Sequence, residues 1–273
     1  MTESKTGTRS VRSSIEIDAT PEQVWEMIST GEGLSRWFPV EAKVTPGEGG
    51  EIWFSWGKTV MEGTSKIVTW EPPRRMVSEW GGMHDEFQIT SRGGNTTLSI
   101  VSNGFGEGAD WDEMYDSVTT GWMFELGGLK HALEHHSGVE RDVVRCLRRC
   151  EPDRDALAAR LLNNGLAPGT DLRSANADDS ISIMLDGMGE VEAQVRVANQ
   201  PKDMSIVTPS LNDAYWRIQI EAPCSGSDKP ALDVTLWAST YGLSDAAQTD
   251  LRAAMNATLD RLLGKQATVV DVG

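Results

Sequence analysis

Pro72 and Pro73 stand side by side in WEPPRRMVSEW, residues 70–80, with tryptophans at both ends of the stretch. Each proline lacks an N–H and has a fixed φ, so neither a helix interior nor a central sheet ladder accepts the pair. The stretch reads as a strand ending at Trp70, a corner at Glu71-Pro72-Pro73, and a second strand from Arg74 to Trp80. Two indoles so close to one corner need a shared apolar space. The question the sequence poses is whether that space is solid core or a pocket.

The surrounding pattern extends the sheet. VRSSIEID (11–18) alternates in strand fashion, and ATPEQVWEMIST then opens a helix with Thr20 as N-cap, Pro21 in the first position, and Val24, Trp25 and Ile28 as its buried stripe. A second short helix, GEGLSRWFPV, stops at Pro39. Glycine-rich PGEGG precedes EIWFSW, and SRGG joins HDEFQIT to NTTLSIVS as a hairpin. A helix from about Asp110 to His136 follows, with Trp111, Tyr115, Val118, Trp122, Leu126, Leu129 and Leu133 at steps of three and four. Gly121, Gly127 and Gly128 sit inside it at about 1 kcal/mol each relative to alanine, which points to close packing or pliability.

Beyond SGVERDVVRCLRRCEP (137–152), read as a partly helical linker, the order recurs. DRDALAARLLNNG predicts a helix, SISIML, VEAQVRV, MSIVT, AYWRIQIE and ALDVTLWAST predict strands, and the segment after Ser244 predicts a second long amphipathic helix. The strand, glycine-bearing break and acidic helix start of TTLSIVSNGFGEGADWDEMYDSV recur in LDVTLWASTYGLSDAAQTDLRAAM, which implies a diverged duplication.

Eight of the ten tryptophans precede residue 123. Indoles are costly to expose and difficult to pack fully, so the first half holds a large aromatic core or an aromatic-lined cavity. The net charge of −16, divided as −10 over residues 1–138 (11 Lys/Arg, 21 Asp/Glu) and −6 over 139–273 (14, 20), argues against a nucleic-acid partner. No apolar run is long enough to span a membrane, and MTESKTGTRS has no apolar signal segment, so no membrane association is expected. Three cysteines, Cys146, Cys150 and Cys224, make no disulfide framework, and a cytoplasmic, reduced location is the simplest expectation.

Chemistry-bearing motifs are few. The sequence has no G-x-S-x-G elbow, P-loop, dinucleotide fingerprint or H-E-x-x-H, so no cofactor is expected. His131 and His135 lie one turn apart near His136, but nothing is placed to complete a metal site, and a polar helix terminus is the expected role. Cys146 and Cys150 beside Arg145, Arg148 and Arg149 suggest either an activated thiol or, as expected here, a linker helix with one buried face. The basic cluster, with Arg141, is expected to make domain–domain ion pairs. His84, Asp85, Glu79 and Tyr115 are the acid–base candidates, with Glu79 placed away from the cavity and His84 near a hairpin end. No catalytic residue is isolated by this reading.

IEIDATPEQVWEMIS, RWF, PGEGGEIWF, WEPPRRMVSEW, TTLSIVSNGF and GWMFELGGLKHALE, in this order over about residues 11–137, resemble the helix-grip superfamily. That superfamily includes START-like lipid binders, plant Bet v 1-type proteins and polyketide cyclases. The closer likeness is to the branch named for the activator of the Hsp90 ATPase. The resemblance implies a curved antiparallel sheet around a long C-terminal helix, often with a hydrophobic cavity between them. Many relatives place a histidine before the GF pair, whereas this chain has Ser102 near there.

The fold expected is therefore α+β, with tandem helix-grip domains: a tail (1–10), a first domain (11–137), a linker (138–152), a second, diverged domain (153–266) and a tail (267–273). Strand alternation places Trp70, Met76, Ser78 and Trp80 toward the long helix, opposite Phe54, Trp56, Phe87 and Ile89. Leu98 and Ile100 join them, with Trp122 and Leu126 from the helix and Trp37 and Phe38 at one mouth. The expected function is non-covalent binding of a small hydrophobic or aromatic molecule. The alternatives are a chaperone-interacting module and a cyclase- or hydrolase-like enzyme, with self-association as a further role for the second domain.

Overall fold

Thr20 accepts a hydrogen bond from the Gln23 backbone while the Gln23 side chain accepts one from the Thr20 N–H at 2.9 Å, a reciprocal cap that starts α1 (Pro21–Ser29) where the sequence places it. The structure, a computed structural model, describes residues 9–57, 60–223, 230–264 and 267–270. These fall into two units, one running to Ser137 and one from Gly138.

In the first unit β1 (Arg9–Ile17) leads into α1 and α2 (Gly31–Ser35). The strands that follow are β2 (Glu41–Thr45), β3 (Glu51–Ser55), β4 (Glu62–Glu71), β5 (Arg75–Trp80), β6 (Met83–Arg92) and β7 (Asn95–Phe105). The long helix α3 (Ala109–His135) closes the unit. The sheet is antiparallel in the order β1-β7-β6-β5-β4-β3-β2, so the first strand pairs with the last. The proline corner turns β4 into β5, and the Arg74 N–H donates to the Glu71 carbonyl at 2.8 Å. Two Gly-Gly turns, Gly81-Gly82 and Gly93-Gly94, connect β5 to β6 and β6 to β7. All four glycines have positive φ, the conformation that the tightest two-residue hairpins require.

The second unit repeats this order with one strand fewer in its meander. It comprises β8 (Arg141–Cys150), α4 (Arg154–Leu162), β9 (Ser180–Leu185), β10 (Gly189–Asn199), β11 (Asp203–Thr208), β12 (Ala214–Glu221), β13 (Leu232–Tyr241), α5 (Asp245–Leu263) and β14 (Thr268–Val270). Here too the first strand, β8, pairs with the strand before the long helix, β13. Both units are thus helix-grip folds, and the chain is the expected tandem α+β protein.

Three expectations are corrected. The stretch 138–152 is no linker helix: Arg141–Cys150 is the strand β8, paired between β14 and β13 and the counterpart of β1. A spacing of four suits one face of either a helix or a strand, so Cys146 and Cys150 did not discriminate between the two. Two of its arginines, Arg148 and Arg149, pair inside the second unit rather than between domains. Arg148, 2% exposed, donates to Asp260 Oδ1 and Asn256 Oδ1 of α5 at 2.9 Å, and Arg149 makes a two-bond pair with Asp233. The tails also shrink. Arg9 and Ser10 belong to β1, and Thr268–Val270 pairs with β8 as β14, whereas residues 1–8 and 271–273 lie outside the described residues.

The activated-thiol reading of Cys146 is overturned as well. Burial pushes this thiol up to about 11, outweighing the nearby Arg252 and Arg148, and burial raises Cys150 too. Cys224 lies outside the described residues. Among the described residues, no helix is long and apolar enough to cross a membrane.

Candidate functional site

The two Gly-Gly turns set the register of three neighbouring strands, and register decides which side chains share a face. Trp80 opposite Met83 brings Ser78 opposite Asp85, and Arg92 opposite Asn95 brings Asp85 opposite Ser102. Ser78, Asp85 and Ser102 therefore form one polar row across the face of the sheet that α3 covers. Ser78 and Ser102 are buried, and Asp85 is half-buried. The next row in the same ladder is apolar, Met76-Phe87-Ile100, and Ile89 pairs with Leu98 in the row after that.

Three polar residues in a core face need partners, because an unpaired buried hydroxyl or carboxyl costs about 1–3 kcal/mol. Part of the row has them. Ser102 donates to Asp85 Oδ1, and the Trp122 indole N–H donates to Ser102 Oγ at 2.9 Å from α3. Removal from water pushes the Asp85 carboxyl above its ordinary range, against the opposing pull of the Ser102 hydroxyl and of His84. Asp85 is thus a carboxyl of raised pKa facing an aromatic layer, the combination from which acid–base or hydrogen-bond recognition is built.

The aromatic layer consists of rings in contact. Phe38 stacks on Trp37 at 5.2 Å and on Trp122 at 5.3 Å, with interplanar angles of 26° and 23°. Trp56 meets Phe38 edge-on at 5.0 Å, Phe54 meets Trp56 at 5.3 Å, and Phe87 meets Trp122 at 5.8 Å. Trp37 is anchored, its N–H donating to the Met27 carbonyl at 2.9 Å. Phe38 is not comparably fixed by position: it is half-buried and lies on the bend between α2 and β2. Gly63 of β4 makes room for the Phe54 ring, since a Cβ there would come within 2.7 Å of it.

The structure brings together Trp37, Phe38, Phe54, Trp56, Phe87 and Trp122 through these ring contacts, and buries Leu98, Ile100 and Leu126. Trp80 and Trp70 stand apart from that group. Trp80, 39% exposed at the end of β5, meets the cluster through Phe54 at 6.1 Å. Trp70 packs edge-to-face on Trp25 of α1 at 5.0 Å. It shares a row with Met76, but its ring contact is with α1.

The other candidate groups lie elsewhere. His84 and Glu79 pair at 3.8 Å beside the β5–β6 turn, and Tyr115 donates to the Ser10 carbonyl at 3.3 Å while packing on Phe105. His131, His135 and His136 gather at the end of α3 with ring centroids 4.9 and 5.0 Å apart, His131 being buried. Among the described residues, no group of His, Cys, Asp and Glu is arranged to hold a metal ion. Gly121 is not explained by close packing, since a Cβ there meets nothing within 4 Å.

Sequence reasoning had named Ser78, Asp85 and Ser102 separately and missed that they form one row. The signal was present: each hairpin turn is two glycines, and a two-residue turn fixes the pairing of every residue behind it.

Comparison with known proteins bears on the first unit. Residues 18–134 match the family model described as Activator of Hsp90 ATPase homolog 1-like protein, in agreement with the resemblance read from the sequence. No curated protein matches the chain. Among solved structures, the Aha1 dimer from Colwellia psychrerythraea is 22% identical, with a TM-score of 0.43 over 48% of this chain and all of that one. CalU16 from Micromonospora echinospora is 24% identical, with a TM-score of 0.38 over 46% of this chain and 76% of that one. DynU16, a protein of the dynemicin biosynthetic locus, is 16% identical, with a TM-score of 0.41 over 93% of this chain and 96% of its own.

Proposed function

We propose that the first unit binds a small, planar aromatic molecule between its sheet and α3, over the Ser78-Asp85-Ser102 row, without covalent chemistry. One observation carries this reading. Phe38 is a half-buried ring on a bend, yet it fills the space between Trp122 and Trp56 that a core residue from a strand or helix would ordinarily occupy. A guest ring takes the place of Phe38 by the same stacking on Trp122 and the same edge contact with Trp56. The bend swings outward, and Phe38 becomes part of the mouth. Burying about 150 Å² of ligand at about 25 cal/mol per Å² supplies roughly 4 kcal/mol. A hydroxyl or carbonyl on the guest, hydrogen-bonded to Asp85 or Ser102, orients it.

Phe38 then competes with ligand, so its removal raises affinity. Titration of intrinsic fluorescence with hydroxylated and unsubstituted planar aromatics tests this. Wild type is expected to bind the hydroxylated members more tightly, and F38A to bind both sets about tenfold more tightly, equivalent to 1.4 kcal/mol. No response from F38A across the panel refutes the reading.

A second reading rests on the family match over residues 18–134: a module that docks on an Hsp90-type ATPase. Pull-down with a bacterial Hsp90-type protein separates the two readings, because a ligand binder alone recovers none.

A further inference from the structure

The first unit has a second hollow of a different kind. A surface pocket of about 410 Å³ lies where α1 meets the ends of β2 and β4. Trp25 and Trp70 form two of its walls, their rings 5.0 Å apart and inclined at 71°, while Val44 and Pro46 form an apolar side. Glu26 stands at the rim, and its exposed carboxylate makes no hydrogen bond or ion pair among the described residues. The Thr30 hydroxyl is already engaged, donating to the Glu26 carbonyl and accepting from the Gly33 N–H at 2.9 Å each. Among the described residues, no Lys, Arg or His lines the pocket.

Each of these features selects a ligand. Indole faces carry the negative lobe of a quadrupole and attract cations, and two rings set steeply to one another offer a cation both a face and a side wall. A carboxylate without a basic neighbour adds full negative charge, and the excess acidity of this half of the chain steers cations inward. Anions are disfavoured by both. A bare metal ion requires several oxygen ligands at once, and the pocket offers one free carboxylate. Methyl groups on the cation suit Val44, Pro46 and the indoles. We infer that this pocket binds a methylated ammonium group, with Trp25 and Trp70 as the aromatic walls and Glu26 as the counter-ion.

Such a group comes either from a free small molecule or from a lipid headgroup. The full chain is titrated with choline and with its neutral isostere 3,3-dimethylbutan-1-ol, while the indole N–H resonances of Trp25 and Trp70 are followed by NMR. Co-sedimentation with phosphatidylcholine vesicles is the second arm. Choline is expected to shift both resonances and to bind at least tenfold more tightly than the isostere, and E26Q to weaken choline about tenfold. Choline binding without co-sedimentation identifies a free ligand. Co-sedimentation that E26Q abolishes identifies the headgroup. Equal binding of choline and the isostere, E26Q binding as well as wild type, or no shift and no co-sedimentation overturns the inference. Glu26 is exposed, so E26Q is expected to fold, and the unchanged indole resonance of Trp122 verifies that it has. These resonances also separate this pocket from the site over Asp85, where Trp122 is the reporter.

Discussion

The two units share a topology and differ in what fills it. In each, a strand and one or two short helices precede an antiparallel meander, the last strand pairs with the first, and a long helix packs against the sheet. Under α3 lie stacked and edge-on aromatic rings above a row of two serines and an aspartate. Under α5 lies a continuous, mainly aliphatic core in which, among the described residues, Trp216 is the only aromatic ring, its N–H donating to Thr208 Oγ1 at 2.8 Å. Even the charge on the helix side is differently used. Arg148 is tied to Asp260 and Asn256 of α5, whereas Asp85 is held by Ser102, which in turn accepts from the Trp122 indole beside the stacked rings. One architecture therefore holds an aliphatic core in one half and an aromatic candidate site in the other, and side-chain chemistry makes the difference.

The largest expected effect that sharpens this contrast is in the second core. Leu259 of α5 is fully buried, so Leu259→Ala is expected to cost about 2–5 kcal/mol by denaturant titration and to leave ligand response in the first unit intact. Phe38→Ala, at a half-buried ring, should cost less, about 1–2 kcal/mol; equal losses at the two positions would erase the distinction.

Next comes the polar row. Ser102→Ala removes the acceptor of the Trp122 N–H and the donor to Asp85 together, for an expected loss of about 1–3 kcal/mol. A shift of the Trp122 indole N–H resonance distinguishes this from general loosening.

Protonation gives a third test. Burial raises the folded-state pKa of Asp85 above its ordinary value near 3.8, so the folded chain holds this proton more firmly than the unfolded chain does. Its contribution to stability is full below pH 3.8 and is lost as pH rises through the folded value. Asp85→Asn does not titrate, so wild type should lose stability relative to it over that window. A difference that stays constant with pH would mean that Asp85 is not withdrawn from water.

The smallest effect is chemical. With its pKa pushed up to about 11 by burial, Cys146 carries little thiolate at pH 8, and a thiol reagent should modify it only on unfolding. Rapid labelling of Cys146 in the native chain would restore the activated-thiol reading of VRCLRRC.

Local signals made most of the fold legible. The capping residues of α1, the proline corner, the paired glycines and the alternation of β5 to β7 each act through a few neighbouring residues, so one strand or turn can be read without the others. VRCLRRC was misread because its polarity is resolved only by remote carboxylates. Asp233 and Asp260 lie more than eighty residues away, and without them an arginine-rich buried strand looks like a solvated segment.

By itself the sequence determined the element order, the tandem repeat, and the concentration of indoles in one half, because hydrophobic periodicity and turn chemistry are short-range. Only the tertiary structure decided that Trp70 meets Trp25 while Phe38 lies between Trp122 and Trp56. Helix placement over a sheet is set by packing between residues distant in the chain, and no local pattern encodes which end of the sheet each helix covers.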